Sequence, residues 1–222
     1  MARAAQVSGF RQPNADDVPL QNRVTPFGEL VAIAGRGQLM GNRGVLHDAN
    51  RTIVRPWALR RWIACRTAFR GRHRAVMQPR RWTELFFLDA ATAFAAGHRP
   101  CAQCRFADFE RFRTLWETRH GTPTTANSID RILHAERLDG RRKRTYRARV
   151  ESLPDGTSVA LAEGAWVIRQ GELHGWSGDG YVLRRPRPRS GAIVVLTPPS
   201  IVAGLSAGYP IALHGSHTDA LR

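Results

Sequence analysis

The stretch Leu85-Phe-Phe-Leu-Asp-Ala-Ala-Thr-Ala-Phe-Ala-Ala-Gly-His-Arg-Pro-Cys-Ala-Gln-Cys104 decides how this chain is read. LFFLD (85–89) is a short apolar run of the kind that makes a buried strand. Asp89 is a good N-cap for the alanine-rich helix AATAFAA (90–96), and Gly97 is a good residue to end it. Cys101-Ala-Gln-Cys104 then places two thiols three residues apart on a turn entering a second helix, CAQCRFADFERFRTLWETRH (101–120). In that helix Phe106, Phe109, Phe112, Leu115 and Trp116 fall at helical spacing and form one apolar stripe.

Upstream, WALRRWIAC (57–65) reads as a strand ending at the third cysteine, Cys65, and RGRHRAVMQPRR (70–81) as a basic loop. VLHD-AN-RTIV is a hairpin with turn chemistry at Asp48, Ala49 and Asn50. The run GELVAIAG is strand-like and leads into the glycine-rich GRGQLMGNRG. Residues 1–26 read as a loose, proline-punctuated arm.

Downstream of the linker GTPTTAN (121–127), Ser128 is placed to cap the short helix IDRILHAERL. The remainder turns to strands. TYRARVESL and TSVAL read as a hairpin about Pro154-Asp155-Gly156, followed by AWVIRQG, a GDG turn, GYVLRR and AIVVL. TPPSIVAGLSAGY reads as a helix opened by prolines. The expectation is an α+β chain in three parts: the arm 1–26, a metal-binding domain 27–120 and a mostly-β domain 121–222.

Charge narrows the function classes. The chain has 34 Lys+Arg against 18 Asp+Glu, a formal net of +16, which draws polyanions by counterion release. Lys143 is the lone lysine, and arginine bias can also reflect a GC-rich genome. A solvated basic face or an acidic protein partner is the blander reading. No run approaches the roughly 20 apolar residues of a membrane span. The first residues lack the apolar core of a secretory leader, and an odd cysteine count argues against a disulfide framework. A reduced cytoplasmic setting and no membrane partner are expected. The CxxC pair admits zinc, a redox pair or ordinary buried thiols; the redox reading needs a thioredoxin-like βαβ context that this sequence lacks.

FFLDAATAFAAGHRPCAQC resembles the second half of the Ada-type zinc domain, the N-terminal module of bacterial methylphosphotriester-DNA repair proteins. Cys65-Arg-Thr-Ala-Phe-Arg-Gly-Arg-His73 resembles that family's first cysteine segment. The resemblance covers about residues 62–106, with a longer spacer here. It implies zinc held at Cys65, Cys101 and Cys104, with the family's fourth cysteine replaced by Phe69. The chain then recruits another ligand, leaves a coordination position open or has lost the metal; His47 and His73 are the candidate substitutes, His47 the preferred one. It implies DNA as partner and phosphate-contacting arginines at Arg72 and Arg99. Arg66, Arg70, Arg74 and Arg105 enrich the same surface, flanked by Arg80, Arg81, Trp62 and Trp82. In the family the residue matching Cys65 accepts a methyl group; an imidazole in place of one thiolate makes Cys65 a poorer nucleophile, so a structural site is favoured over methyl transfer.

The second half matches no family motif. Asp130, His134 and Glu136 on one short helix, His174 with Asp179, and the pair His214 and His217 are its titratable clusters. Cys65 and His134 are the candidate catalytic residues. Three functions stand: a zinc- and DNA-binding protein of damage sensing or repair, a nucleic-acid-processing enzyme, and a metal-stabilised protein-interaction module.

Overall fold

The computed structural model describes residues 19–71, 75–121 and 123–217. It is an α+β fold with two six-stranded sheets. The first sheet contains β1 (Arg23–Val24), β2 (Leu30–Val31), β3 (Leu39–Asn42), β4 (Ile63–Arg66), β5 (Leu85–Phe87) and β6 (Arg99–Pro100). Their order is β2-β1-β5-β3-β4-β6. Residues 19–26 are therefore not a loose arm: β1 pairs with β2 and β5, and Asn22 and Val24 are buried. Residues 1–18 of the expected arm lie outside the described residues.

Side chains alternate across these strands with period two, so each strand serves two faces. Leu39, Ala64, Leu85 and Phe87 share a core cluster with Ala93 and Ala96 of helix α1 (Ala90–Ala95) and the residue after it. Met40, Asn42, Ile63, Cys65 and Phe86 line the other face. β3 lies inside the segment expected to be merely glycine-rich. Gly41 explains why: a Cβ there would come within 2.2 Å of the Phe87 ring, so the glycine admits the phenylalanine. The 57–65 strand shrinks to Ile63–Arg66, and the 46–54 hairpin to a single bridge, His47 to Ile53.

Asp89 caps α1 as expected, accepting from Thr92 N–H at 2.8 Å. Helix α2 starts later than its sequence suggests, at Phe106, and runs to His120. Residues 102–105 are turn, so the two CxxC cysteines precede the helix rather than open it. Phe109, Phe112 and Trp116 are buried, whereas Phe106 of the expected stripe is exposed. Helix α3 covers Ala126–Arg137; Thr125, not Ser128, is its N-cap, and Ser128 completes a capping box with it.

A two-strand hairpin follows, β7 (Leu138–Asp139) with β8 (Arg142–Lys143). The second large sheet contains β9 (Tyr146–Arg149), β10 (Ser158–Leu161), β11 (Gly164–Arg169), β12 (Glu172–Trp176), β13 (Tyr181–Pro186) and β14 (Ala192–Val195). Its order is β13-β12-β11-β10-β14-β9, antiparallel throughout. The expected 145–161 hairpin does not form, because β14 lies between β9 and β10. The strand pattern accounts for this. β14 buries Ile193 and Val195 and suits the interior, while β9 carries exposed Arg147 and Arg149 and suits an edge. Helix α4 (Pro199–Ser206) has prolines at its opening, as expected.

The boundary expected at 120/121 is not a packing boundary. One cluster joins Phe94, Phe109, Phe112 and Trp116 to Ile129, Leu133, Ile201, Leu205 and Tyr209. Smaller clusters join Leu88 and Ala91 to Val167 and Tyr181, and Ala95 to Ala165 and Leu196. Asp89, fully buried, also accepts from the Tyr181 hydroxyl at 2.7 Å and from His214 N–H at 3.0 Å.

Candidate metal centre

Cys65 is on β4, Cys101 follows β6, and β4 and β6 are parallel neighbours. Cys101 N–H donates to Ala64 O at 3.0 Å, which sets Cys101 beside Cys65. The turn after β6 returns Cys104 to the same point. The Sγ atoms of Cys65, Cys101 and Cys104 all lie within 4.8 Å of one another, and the three cysteines are free thiols. Zn–S bonds of about 2.3 Å at tetrahedral angles place sulfurs about 3.8 Å apart, so the cluster fits one such ion. Backbone donors already point at the sulfurs: Arg66 N–H to Cys104 Sγ and Gln103 N–H to Cys101 Sγ, both at 3.4 Å.

The thiols divide their protons unequally. A hydrogen bond from Cys65, opposed by burial and aided by the N–H groups of Cys104 and Gln103, pulls Cys101 down to about 5. The same contact with Cys101, then burial, pushes Cys65 up, and burial raises Cys104. Cys101 is thus the most acidic thiol of the three.

Among the described residues the cluster supplies three ligands. His47, the expected fourth, is not one of them. It is buried; its Nδ1 lies 2.6 Å from Thr83 Oγ1 and its Nε2 lies 3.2 Å from Gln78 O. Both ring nitrogens are spent holding the 78–83 segment against the 46–53 turn. His73 falls outside the described residues, as do Arg72 and Arg74. Phe69, which the expected alignment put at the fourth ligand position, lines a cavity of about 330 Å³ into which Cys65, Cys101 and Cys104 also face. Trp82 and Phe86 give that cavity further aromatic wall. Glu84, a buried carboxylate that sequence reading missed, adds a polar group to the same wall; its Oε2 accepts from Met77 N–H at 2.8 Å. The signal for it was present: Glu84 precedes Phe86 by two and shares its face.

The arginines sort into two groups. Arg66 and Arg70 are exposed, and the Arg70 guanidinium lies 5.1 Å from the Phe69 ring. Arg99 does not reach the surface. It is 2% exposed and grips Asp130 bidentately, Nε and Nη2 each at 2.8 Å, so its phosphate-contacting role is overturned. Although β6 is an edge strand, Phe109 of α2 packs its ring 5.1 Å from the Arg99 guanidinium, and α3 supplies the carboxylate that burial demands. Arg105 is half-buried and its Nε donates to Asp108 at 2.8 Å.

No family model, curated protein or solved structure matches this chain.

His134 is not paired with Asp130, whose carboxylate serves Arg99. Its Nδ1 faces Arg137 Nη2 at 3.2 Å, and its ring meets Trp57 edge-on at 4.8 Å. Burial, then Arg137 and Arg60, lowers its pKa. Glu136 accepts from Ser200 N–H and hydroxyl at the start of α4. The Asp130–His134–Glu136 cluster is thus dispersed into three structural contacts. His174 is buried in β12, and the side chain of His217 lies outside the described residues. No helix of the described residues is long and apolar enough to cross a membrane.

Proposed function

We propose that this chain is a zinc-thiolate protein that binds the phosphate backbone of DNA, in the manner the Ada-type resemblance implies, in the sensing or repair of damage. The carrying observation is the convergence of Cys65, Cys101 and Cys104 on the wall of an open, aromatic-lined cavity flanked by exposed Arg66 and Arg70. Three soft thiolates favour zinc, and they fall one short of the four cysteines that iron–sulfur clusters use. Zinc held by Cys65, Cys101 and Cys104 would supply Lewis acidity to a bound oxygen. The protein's own part is to orient the sulfurs through Ala64, Gln103 and Arg66 backbone groups and to offer phosphate two forked cations.

Purified protein should carry about one zinc per chain. It should bind duplex DNA with strong salt dependence. R66A/R70A should reduce the log–log salt slope by about 2, because each arginine neutralises one phosphate. Zinc-free protein, or a slope unchanged by the double variant, would refute the corresponding half of the reading.

A second reading, a nucleic-acid-processing enzyme working in the same cavity, draws on Glu84. A buried carboxylate on the wall of a three-thiolate site is placed to act as a base. Nuclease or phosphoesterase turnover abolished by E84Q, with zinc content intact, would favour it over plain binding.

A further inference from the structure

A second cavity, of about 420 Å³, lies across the first sheet from the cysteines. The chain alternation that sends Asn42 and Ile63 to the metal cavity sends their neighbours Arg43 and Trp62 to this one. Its wall is cationic. Arg43 and Arg137 are each 1% exposed, and their guanidinium carbons each lie 4.0 Å from the Trp62 ring centre. Lys143, carried in by the β7–β8 hairpin, completes the wall, and Arg141 and Arg142 are exposed at its mouth.

These inner cations are held by neutral partners. Arg43 donates through Nε to His98 Nε2 at 3.2 Å and through Nη1 to Gly28 O at 2.8 Å. Arg137 donates through Nη1 to Gly97 O at 2.8 Å and through Nη2 to Arg60 O. The Lys143 ammonium donates to Ala95 O. Asp130, which attracts Arg137 from a distance, is gripped by Arg99, and among the described residues the one carboxylate lining the cavity is exposed Glu29. Two buried donors, Arg43 Nη2 and Arg137 Nε, have no hydrogen-bond partner among the described residues. Elsewhere this protein pairs its buried arginine with a carboxylate, as Arg99 shows. Three inner cations without a counter-charge are costly to fold unless something brings that charge.

We propose that this cavity binds a phosphate monoester, its dianion seated among Arg43, Arg137 and Lys143 and its esterified group lying along Trp57. A dianion matches this charge better than a carboxylate, which one guanidinium fork would satisfy. The cavity exceeds what a bare phosphate fills, and Trp57 offers a ring surface to the remainder. Burial agrees with that geometry: with repulsion from Arg137 it lowers Arg43 to about 9, with repulsion from Arg43 and Arg137 it lowers Lys143 to about 7, and it lowers Arg137 to about 9 despite the attraction of Asp130. The site is independent of the metal cavity and of the DNA reading.

Calorimetric titration of the full, zinc-loaded chain at fixed ionic strength tests it. The probes are inorganic phosphate, a nucleoside 5′-monophosphate, and one oligonucleotide with and without a 5′-phosphate, against acetate as control. The mononucleotide should bind one to one, at least tenfold tighter than acetate and tighter than inorganic phosphate. The oligonucleotide pair assigns the source: a gain from the 5′-phosphate beyond the mononucleotide points to a strand end, and none to a free ester. R43M is liable to misfold, so K143M and R141A/R142A decide. K143M should weaken the mononucleotide at least tenfold and the mouth variant several-fold, each with zinc content unchanged. Equal affinity for acetate, or full mononucleotide affinity in folded K143M, would overturn the proposal. So would inorganic phosphate binding as tightly as every ester.

Discussion

Cys101 lies one residue beyond β6, and that position lets the Ala64 carbonyl fix it beside Cys65. Replacing it by serine removes one of the three sulfurs that converge there. C101S should lose most of the bound zinc and lower the Tm, checked by metal analysis and calorimetry on the same sample. His47 makes the opposite prediction. Its nitrogens are spent on Thr83 and Gln78, so H47A should keep its zinc while losing about 1–3 kcal/mol of stability from the partners it strands. Zinc loss in H47A with the fold intact would restore it as a ligand. Cys101 and Cys104 were legible in the sequence because CxxC spacing is local, whereas Cys65 joins them only through the parallel pairing of β4 with β6. The fate of His47 and Arg99 was not legible, because both are decided by partners far along the chain: Thr83 for one and Asp130 for the other.

At the scale of elements, α1 illustrates how one cap comes to serve a larger purpose. Asp89 satisfies the helix start, as any N-cap aspartate does, and that much follows from the local pattern. Its second oxygen binds Tyr181 and His214, about a hundred residues away. D89A should therefore cost more than the roughly 1 kcal/mol of an ordinary cap, and Y181F about 1 kcal/mol, measured by denaturant unfolding. A D89A penalty no larger than that of Thr125→Ala at the surface cap of α3 would show the long-range bonds to be unimportant. The helices were readable because capping and apolar stripes are properties of neighbouring residues. The β9–β14 pairing was not: turn residues at 154–156 suggested a hairpin, and the competing strand lies some forty residues later.

For the whole molecule, the shared clusters bind the two halves into one folding unit. Phe112 and Trp116 have their burial completed by Leu133, Ile201 and Tyr209. Separate expression of 1–120 and 121–222 should give chains without cooperative unfolding, and a sharp transition in either would contradict this. The cationic cavity imposes a pH dependence on the same unit. Burial, with Arg43 and Arg137 nearby, holds Lys143 at about 7, below its unfolded value of about 10.4. Between those values the unfolded chain binds more protons than the folded one, so the Lys143 contribution to stability rises with pH from about 7 to 10. Below 7 the buried charge is a constant cost. K143M should be more stable than the native chain at pH 6, with the gap closing toward pH 10; a gap that does not change with pH would show Lys143 to be well solvated.

The sequence by itself determined the α+β class, the helix starts at Asp89 and Pro198, the proximity of Cys101 to Cys104, and a surplus of positive charge. Each is a matter of spacing or composition along a few residues. Tertiary structure alone decided which arginines meet solvent, which histidine is spent, that the two halves share a core, and that three uncompensated cations line a second cavity. Those outcomes depend on which distant carboxylate or carbonyl each charge meets once water has been excluded, and that is a property of the folded chain.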